Sequence, residues 1–270
     1  EFDLDALLKG QSDEGRWKFN IGTLSRKVYG IGATEFAVIL ATPNVGKTAF
    51  CLSLGAGQEG FARQGAQCLY IVNEEAHGRQ QARSVSTYTG FTADEMVANP
   101  KNKQAALDLY RAHGMFDKVE FRSAMGWDLA KLEACIKSTK ADVVFVDQAD
   151  KVSVRGTFEA NHHKLRELYL QLREIAKRQN CAIFAVSQAN SSAVGRTRVS
   201  PNDAEGSKIG KFAEADLVLG IGKYDDDNTG DSGDDEANNS RFITVGKNKL
   251  NGYHGTITCR IDAERSRYVE

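Results

Sequence analysis

Two observations predict an α/β fold built on a mostly parallel central sheet flanked by helices, and an antiparallel C-terminal strand extension is expected to complete it. Short runs rich in β-branched and aromatic residues recur along the chain, and helix-period stretches separate most of them. In addition, 41% of the 270 residues are hydrophobic and 9% aromatic, enough apolar side chains for a packed core. Thirty-five Lys and Arg balance thirty-six Asp and Glu, for a net charge of −1. That balance excludes both a histone-like basic binder and an acidic, aromatic-poor disordered chain. Because α/β units often continue around one sheet past about 200 residues, and three prolines supply no Pro-rich linker, one large domain is expected over 16–270. A short amphipathic helix and polar tether precede it over 1–15.

In chain order, strands are expected near 35–41, 67–72, 119–122, 142–147, 182–187, 216–221, 242–246 and 256–261. The clearest helix spans 159–179, where Leu165, Leu168, Tyr169, Leu172, Ile175 and Ala176 step by three and four residues onto one face. A second covers 128–139 with Leu129, Leu132 and Ile136 inward, and a third 103–113. Residues 2–8 read FDLDALL, an amphipathic segment that needs a groove to lie in. The stretch 225–236 holds seven carboxylates in twelve residues. It reads as a solvated loop, since its spacing does not supply the fixed ligand positions of a calcium loop. Five scattered cysteines without C-x-x-C spacing fit a reducing, cytosolic setting. No apolar run approaches membrane-spanning length and no secretory leader is visible. A chain opening on Glu1 is expected to be a piece of a longer protein.

The strand at 35–41 runs directly into Ala41-Thr42-Pro43-Asn44-Val45-Gly46-Lys47-Thr48 and then a helix from Ala49. This is a P-loop with Ala at its first position. Thr42, Pro43, Asn44, Val45, Gly46, Lys47, Thr48 and Ala49 are the expected phosphate cradle. Backbone N–H groups and the helix N-terminus wrap the β-phosphate, Lys47 places positive charge on the β and γ oxygens, and the Thr48 hydroxyl binds Mg²⁺. ATP, or another NTP or dNTP, is therefore the expected ligand.

Three later strands end on groups that phosphoryl chemistry uses. Val143-Val144-Phe145-Val146 ends on Asp147, placed to hold a Mg²⁺-bound water beside the P-loop threonine. Cys68-Leu69-Tyr70-Ile71-Val72-Asn73 leads to Glu74 and Glu75, and a Glu at this end of a sheet can orient and deprotonate the attacking water. Ala182-Ile183-Phe184-Ala185-Val186-Ser187 ends on Gln188, which can hydrogen-bond a γ-phosphate or its water. Surface charge for the glutamates and simple strand capping for Gln188 are the bland alternatives.

This ordered set resembles the RecA-like ATPase domain of the DnaB-like hexameric replicative helicases, including bacteriophage ring helicases. The likeness starts at Ile21-Gly22-Thr23-Leu24, similar to the approach to that family's first sheet strand. It continues through Ser207-Lys208-Ile209-Gly210-Lys211-Phe212-Ala213-Glu214-Ala215-Asp216-Leu217, similar to its fourth helicase motif. Val245-Gly246-Lys247-Asn248-Lys249-Leu250-Asn251-Gly252 resembles its lysine-x-arginine segment, and 255–268 its terminal strand pair. The resemblance implies a ring, usually of six copies, that hydrolyses nucleotide between neighbours and walks on single-stranded DNA, and it leaves primase or other replisome proteins open as partners. It implies Glu74 as catalytic base, Asp147 as the Mg²⁺-side carboxylate and Gln188 as phosphate sensor. Lys247 and Lys249 correspond to the basic pair that reaches the neighbour's γ-phosphate, with Lys249 where the family carries an arginine finger. Tyr224 and Lys223 correspond to contacts with the base, and the Asp3–Leu8 segment to a linker helix that packs on the adjacent subunit, a plain N-terminal cap on its own domain being the alternative.

Two loops after the Asp147 and Gln188 strands face the central channel in such rings. Arg155 lies in the first, Arg196 and Arg198 in the second, and all three are candidates for sequence-independent phosphate contact. Residues 151–200 hold nine Lys and Arg against three Asp and Glu, so positive charge concentrates where both loops lie. Two other functions share the fold: a RecA/RadA-type recombinase that forms filaments on DNA, and a regulatory ATPase without motor activity.

Overall fold

The computed structural model describes residues 15–73, 76–204, 210–224 and 238–270. The expected N-terminal helix over 2–8, Glu74, Glu75, Ser207 to Ile209 and the acidic stretch 225–236 lie outside them. The described strands are β1 (Phe36–Ala41), β2 (Cys68–Val72), β3 (Val119–Ser123), β4 (Val143–Asp147), β5 (Ala182–Gln188), β6 (Leu217–Gly222), β7 (Ser240–Asn248), β8 (Gly255–Asp262) and β9 (Arg267–Val269). They form one sheet in the order β3-β2-β4-β5-β1-β6-β7-β8-β9. From β3 to β6 every pairing is parallel; β6 with β7, β7 with β8 and β8 with β9 are antiparallel. This is the predicted architecture.

The helices are α1 (Gly22–Lys27), α2 (Lys47–Ala56), α3 (His77–Thr89), α4 (Ala93–Ala98), α5 (Pro100–Ala112), α6 (Met115–Lys118), α7 (Leu129–Thr139), α8 (Asn161–Arg178) and α9 (Gly210–Ala213). All six apolar residues predicted for the inner face of α8 are buried. Asp128 caps α7 by accepting from the Lys131 amide at 3.0 Å, which satisfies an N–H that the first turn leaves unpaired. The approach to β1 is helical: α1 starts after Ile21, and Leu24 and Val28 are fully buried. The apolar residues of this segment meet the core at helical spacing. The sequence pattern did not mark helix α3, because HGRQQARSVSTYT buries Gln80, Ser84, Ser86 and Thr87 beside Val85 and Tyr88.

Both faces of β1 are covered. Ala37, Ile39 and Ala41 join one apolar cluster with α2, while Phe36, Val38 and Leu40 join another with α7 and α8, as the two-residue side-chain period of a strand requires. On the α2 face, parallel registry lines up Phe121, Tyr70, Phe145 and Phe184 in one row across four strands. Their rings stack with centroids 4.7, 4.7 and 5.0 Å apart. Tyr70 Oη donates to the Cys51 carbonyl of α2 at 3.1 Å. A Cβ on Gly55 would lie 2.1 Å from that Oη and 2.7 Å from Phe145, so the glycine lets the helix behind the P-loop sit directly on the aromatic row. On the other face the buried Asp216 carboxylate accepts from Arg173 of α8 at 2.7 Å and from the Phe36 amide at 3.0 Å, tying α8 to the start of β1.

Candidate functional site

The C-terminal ends of β4, β5 and β1 are neighbours because those strands are adjacent and parallel. Groups that are far apart in sequence therefore converge. Pro43, Asn44, Gly46, Lys47, Thr48, Ala49, Asp147 and Gln188 line one cavity of about 500 Å³. Thr42 and Val45 are buried beneath the loop and contribute backbone: the Thr42 carbonyl accepts from Lys47 Nζ at 3.4 Å. Gly46 caps α2 at φ 102°, a left-handed conformation that disfavours a Cβ. A Cβ there would also meet Ile261 Cδ1 at 2.5 Å.

The donor set fits a magnesium nucleotide. Among the described residues no group of three His, Cys, Asp or Glu is arranged for a metal. Mg²⁺ in such sites needs only one or two protein ligands besides phosphate and water, and the Thr48 hydroxyl and Asp147 carboxylate stand in the same cavity. Asp147 is held at both ends. Gln80 Nε2 donates to its Oδ2 at 3.0 Å, and Asn73 Nδ2 to its backbone carbonyl at 3.2 Å. Burial, with the Asp147 charge second, pushes the thiol of Cys51 beneath the loop well up, so this cysteine stays protonated and inert. Gln148, next in the chain, adopts φ 52° and ψ 62°, a conformation costing a non-glycine residue about 1–2 kcal/mol. It lines the cavity beside Gln188.

Sequence reasoning missed Gln80, Arg83, Gln148 and Arg241, as well as Ala263 and Ser266 of the β8–β9 turn, which complete the lining or support it. Gln80 and Arg83 carried a usable signal: polar residues at i and i+3 on the helix that follows the glutamate-bearing strand share a face. Arg241 carried none. It is buried, and its Nε donates to the Val45 carbonyl at 2.8 Å while Nη1 donates to the Asn238 and Ser240 carbonyls at 2.7 and 2.8 Å. Tyr268 Oη adds a bond to the same Val45 carbonyl at 3.3 Å. The antiparallel extension thus forms the floor of the P-loop.

Tyr224 and Lys223 follow β6 at this edge of the sheet but do not line the cavity. Tyr224 is exposed and packs edge-on against Phe242 at 4.8 Å. Lys247 and Lys249 lie at the opposite edge. Lys247 pairs with Val218, which pairs with Val38, three residues before Ala41. At about 3.3 Å per residue that is roughly 10 Å before the P-loop begins. Lys247 Nζ donates to the Phe212 and Ala213 carbonyls at 2.6 and 2.8 Å, and burial, then the Lys249 charge, lowers its pKa from the ordinary lysine value. Lys249 is exposed.

The three candidate DNA-contacting arginines are exposed, on loops that leave the nucleotide edge. Arg155 pairs with Asp128 at 2.8 Å and Arg196 with Asp203 at 2.9 Å. The second loop lies against the sheet where side chains are missing: a Cβ on Gly220 would be 1.9 Å from the Val199 carbonyl oxygen, one on Gly222 2.3 Å from that of Arg196, and one on Gly246 2.7 Å from Pro201.

A family model for the DnaB-like helicase C-terminal domain matches residues 18–270. The fold is similar to a solved ATPase domain, with a TM-score of 0.81 and 17% identity over 100% of this chain and 99% of that one. It is also similar to a DnaB-like replicative helicase solved in a study of its interactions with primase, with a TM-score of 0.80 and 18% identity over 100% of this chain and 68% of that one. No curated protein matches the chain by sequence.

Proposed function

The chain belongs to the DnaB-like helicase C-terminal domain family, a family of NTP-hydrolysing replicative helicase motors, and from that premise we propose a ring of identical copies that hydrolyses ATP at its subunit interfaces and translocates on single-stranded DNA. One observation carries the shared site. The P-loop, Asp147 and Gln188 line one cavity, whereas Lys247 and Lys249 stand at the other edge of the same sheet. They are beyond reach of the nucleotide that their own chain holds, and a neighbouring copy supplies the phosphates they would meet.

The P-loop amides and Lys47 hold the phosphates, and Gly46 permits the close backbone approach. Thr48 and Asp147 would hold Mg²⁺, which would supply neutralisation of the phosphate charge. Gln80 orients the Asp147 carboxylate. Glu74 takes the proton of the attacking water, and Gln188 hydrogen-bonds the γ-phosphate or that water. Lys249 brings a point charge to the neighbour's γ-phosphate without the planar fork of an arginine; Lys247 does so after giving up the two α9 carbonyls. Tyr224 and Lys223 remain candidates for the base, and Arg155, Arg196 and Arg198 for DNA phosphates once their carboxylate partners are exchanged. Residues 2–8 act as the linker to the next copy. Among the described residues no helix is long and apolar enough to cross a membrane.

Electron microscopy with nucleotide and single-stranded DNA tests this assignment. Closed rings, with turnover raised by the DNA, are expected. Open filaments would instead indicate a recombinase, and turnover indifferent to single strands a regulatory ATPase.

A further inference from the structure

Lys211 belongs to a cluster that none of these roles uses. It is 1% exposed, an expensive place for an ammonium group unless it is fully paired. Its Nζ donates to Asp150 Oδ2 at 2.8 Å and to Ser187 Oγ at 3.1 Å, and it stands 5.8 Å from the centre of the Tyr169 ring. Asp150 also accepts from Tyr169 Oη at 2.9 Å and from Ser187 Oγ at 3.0 Å. The cluster is internally satisfied. Lys211 is buried and its partner Asp150 is 27% exposed; replacing a pair with a buried charge by apolar groups often costs no stability, so stability alone gives no reason for its presence.

Its position supplies one. Ser187 directly precedes Gln188, and Asp150 follows Gln148 by two residues. Gln148 and Gln188 line the nucleotide cavity and also a second one, of about 240 Å³, lined further by Asp150, Lys151 and Lys211. Beyond Lys151 runs the loop with Arg155, and beyond Gln188 the loop with Arg196 and Arg198. Lys211 therefore clamps the roots of both loops together, directly behind the two glutamines. The short helix that carries it, α9, also presents the carbonyls that hold Lys247. We propose that Lys211 is a positioning residue that couples the nucleotide-facing glutamines to the two DNA loops, so that phosphate contact on the loops is felt at the γ-phosphate position.

This rests on the DNA-motor assignment above, and the test separates the two. Lys211→Met alone strands the Asp150 charge and is expected to lower the thermal midpoint; Asp150→Asn with Lys211→Met removes both charges and is expected to restore it. In the full chain the double variant should bind a fluorescent ATP analogue within about twofold of wild type, and its turnover without DNA should also stay close to wild type. The factor by which single-stranded DNA raises turnover should fall about fivefold or more, the lower end of ordinary coupling between sites. Ser187→Ala, which removes one hydroxyl from the cluster, should lower the same factor and serves if the double variant does not fold. A folded variant with wild-type stimulation overturns the coupling role and leaves the motor standing. Wild-type turnover that ignores single strands overturns both.

Discussion

Arg241→Met is the sharpest test of the P-loop floor. Methionine keeps much of the stem volume but removes the guanidinium, so the Val45, Asn238 and Ser240 carbonyls lose their charged donors. A hydrogen bond to a charged group contributes about 1.5–3 kcal/mol. The bond to Val45 sets the effect on the cradle, and because Tyr268 Oη still reaches that carbonyl at 3.3 Å, the lower half of the range applies. A loss of about 1.5–2 kcal/mol corresponds to roughly 10- to 30-fold weaker nucleotide binding, since a loosened loop must be ordered again when phosphate arrives. The assay is titration of a fluorescent nucleotide analogue with and without Mg²⁺, alongside a thermal melt. Arg241→Lys, which keeps a charge but not the fork, should fall between. If Arg241→Met lowers the melting midpoint while nucleotide affinity stays at the wild-type value, the residue only secures the start of β7 and the floor argument is wrong.

Three further outcomes are expected. Lys249→Ala should retain nucleotide binding and lose turnover, and mixing it with Glu74→Ala should recover activity at mixed interfaces; a mixture no more active than its components at every ratio refutes a site shared between copies. The Arg196→Ala, Arg198→Ala double variant should bind single-stranded DNA more weakly, with a salt dependence shallower by up to about 1.4, or 0.7 per lost phosphate contact, whereas an unchanged slope removes that loop from the DNA path. Glu133 accepts two bonds from Arg178 and one from Gln179, each at 2.9 Å, and the Arg178 bonds lower its carboxyl below the usual range. A depressed carboxylate pKa stabilises the fold fully above the unfolded value of about 4.3 and ceases to as pH falls through the folded one. The gap in melting midpoint between wild type and Glu133→Gln should therefore be full at neutral pH and close under acid; a constant gap contradicts the assignment.

The P-loop was legible because its chemistry is local: strand, glycine, lysine, threonine and helix follow one another, and short-range sterics decide their shape. Asp147 and Gln188 were legible as strand ends, and the α8 face as a helical period. Helix α3 was harder to read, because its buried face mixes Val85 and Tyr88 with Gln80, Ser84, Ser86 and Thr87 and so presents no apolar stripe of large side chains.

Local pattern determined which elements form and which residues bear chemistry. Only the tertiary structure decided what those residues meet. Placing β4 and β5 beside β1 brings Asp147 and Gln188 to the phosphate cradle, while the reversed direction of β7 carries Lys247 and Lys249 to the far edge. Arg241 and Tyr268 reach the P-loop across about two hundred residues, and Gly220, Gly222 and Gly246 admit a loop that no strand pattern announces. Strand order and close backbone approach are settled by packing between distant segments, which a period of two or of 3.6 residues does not encode.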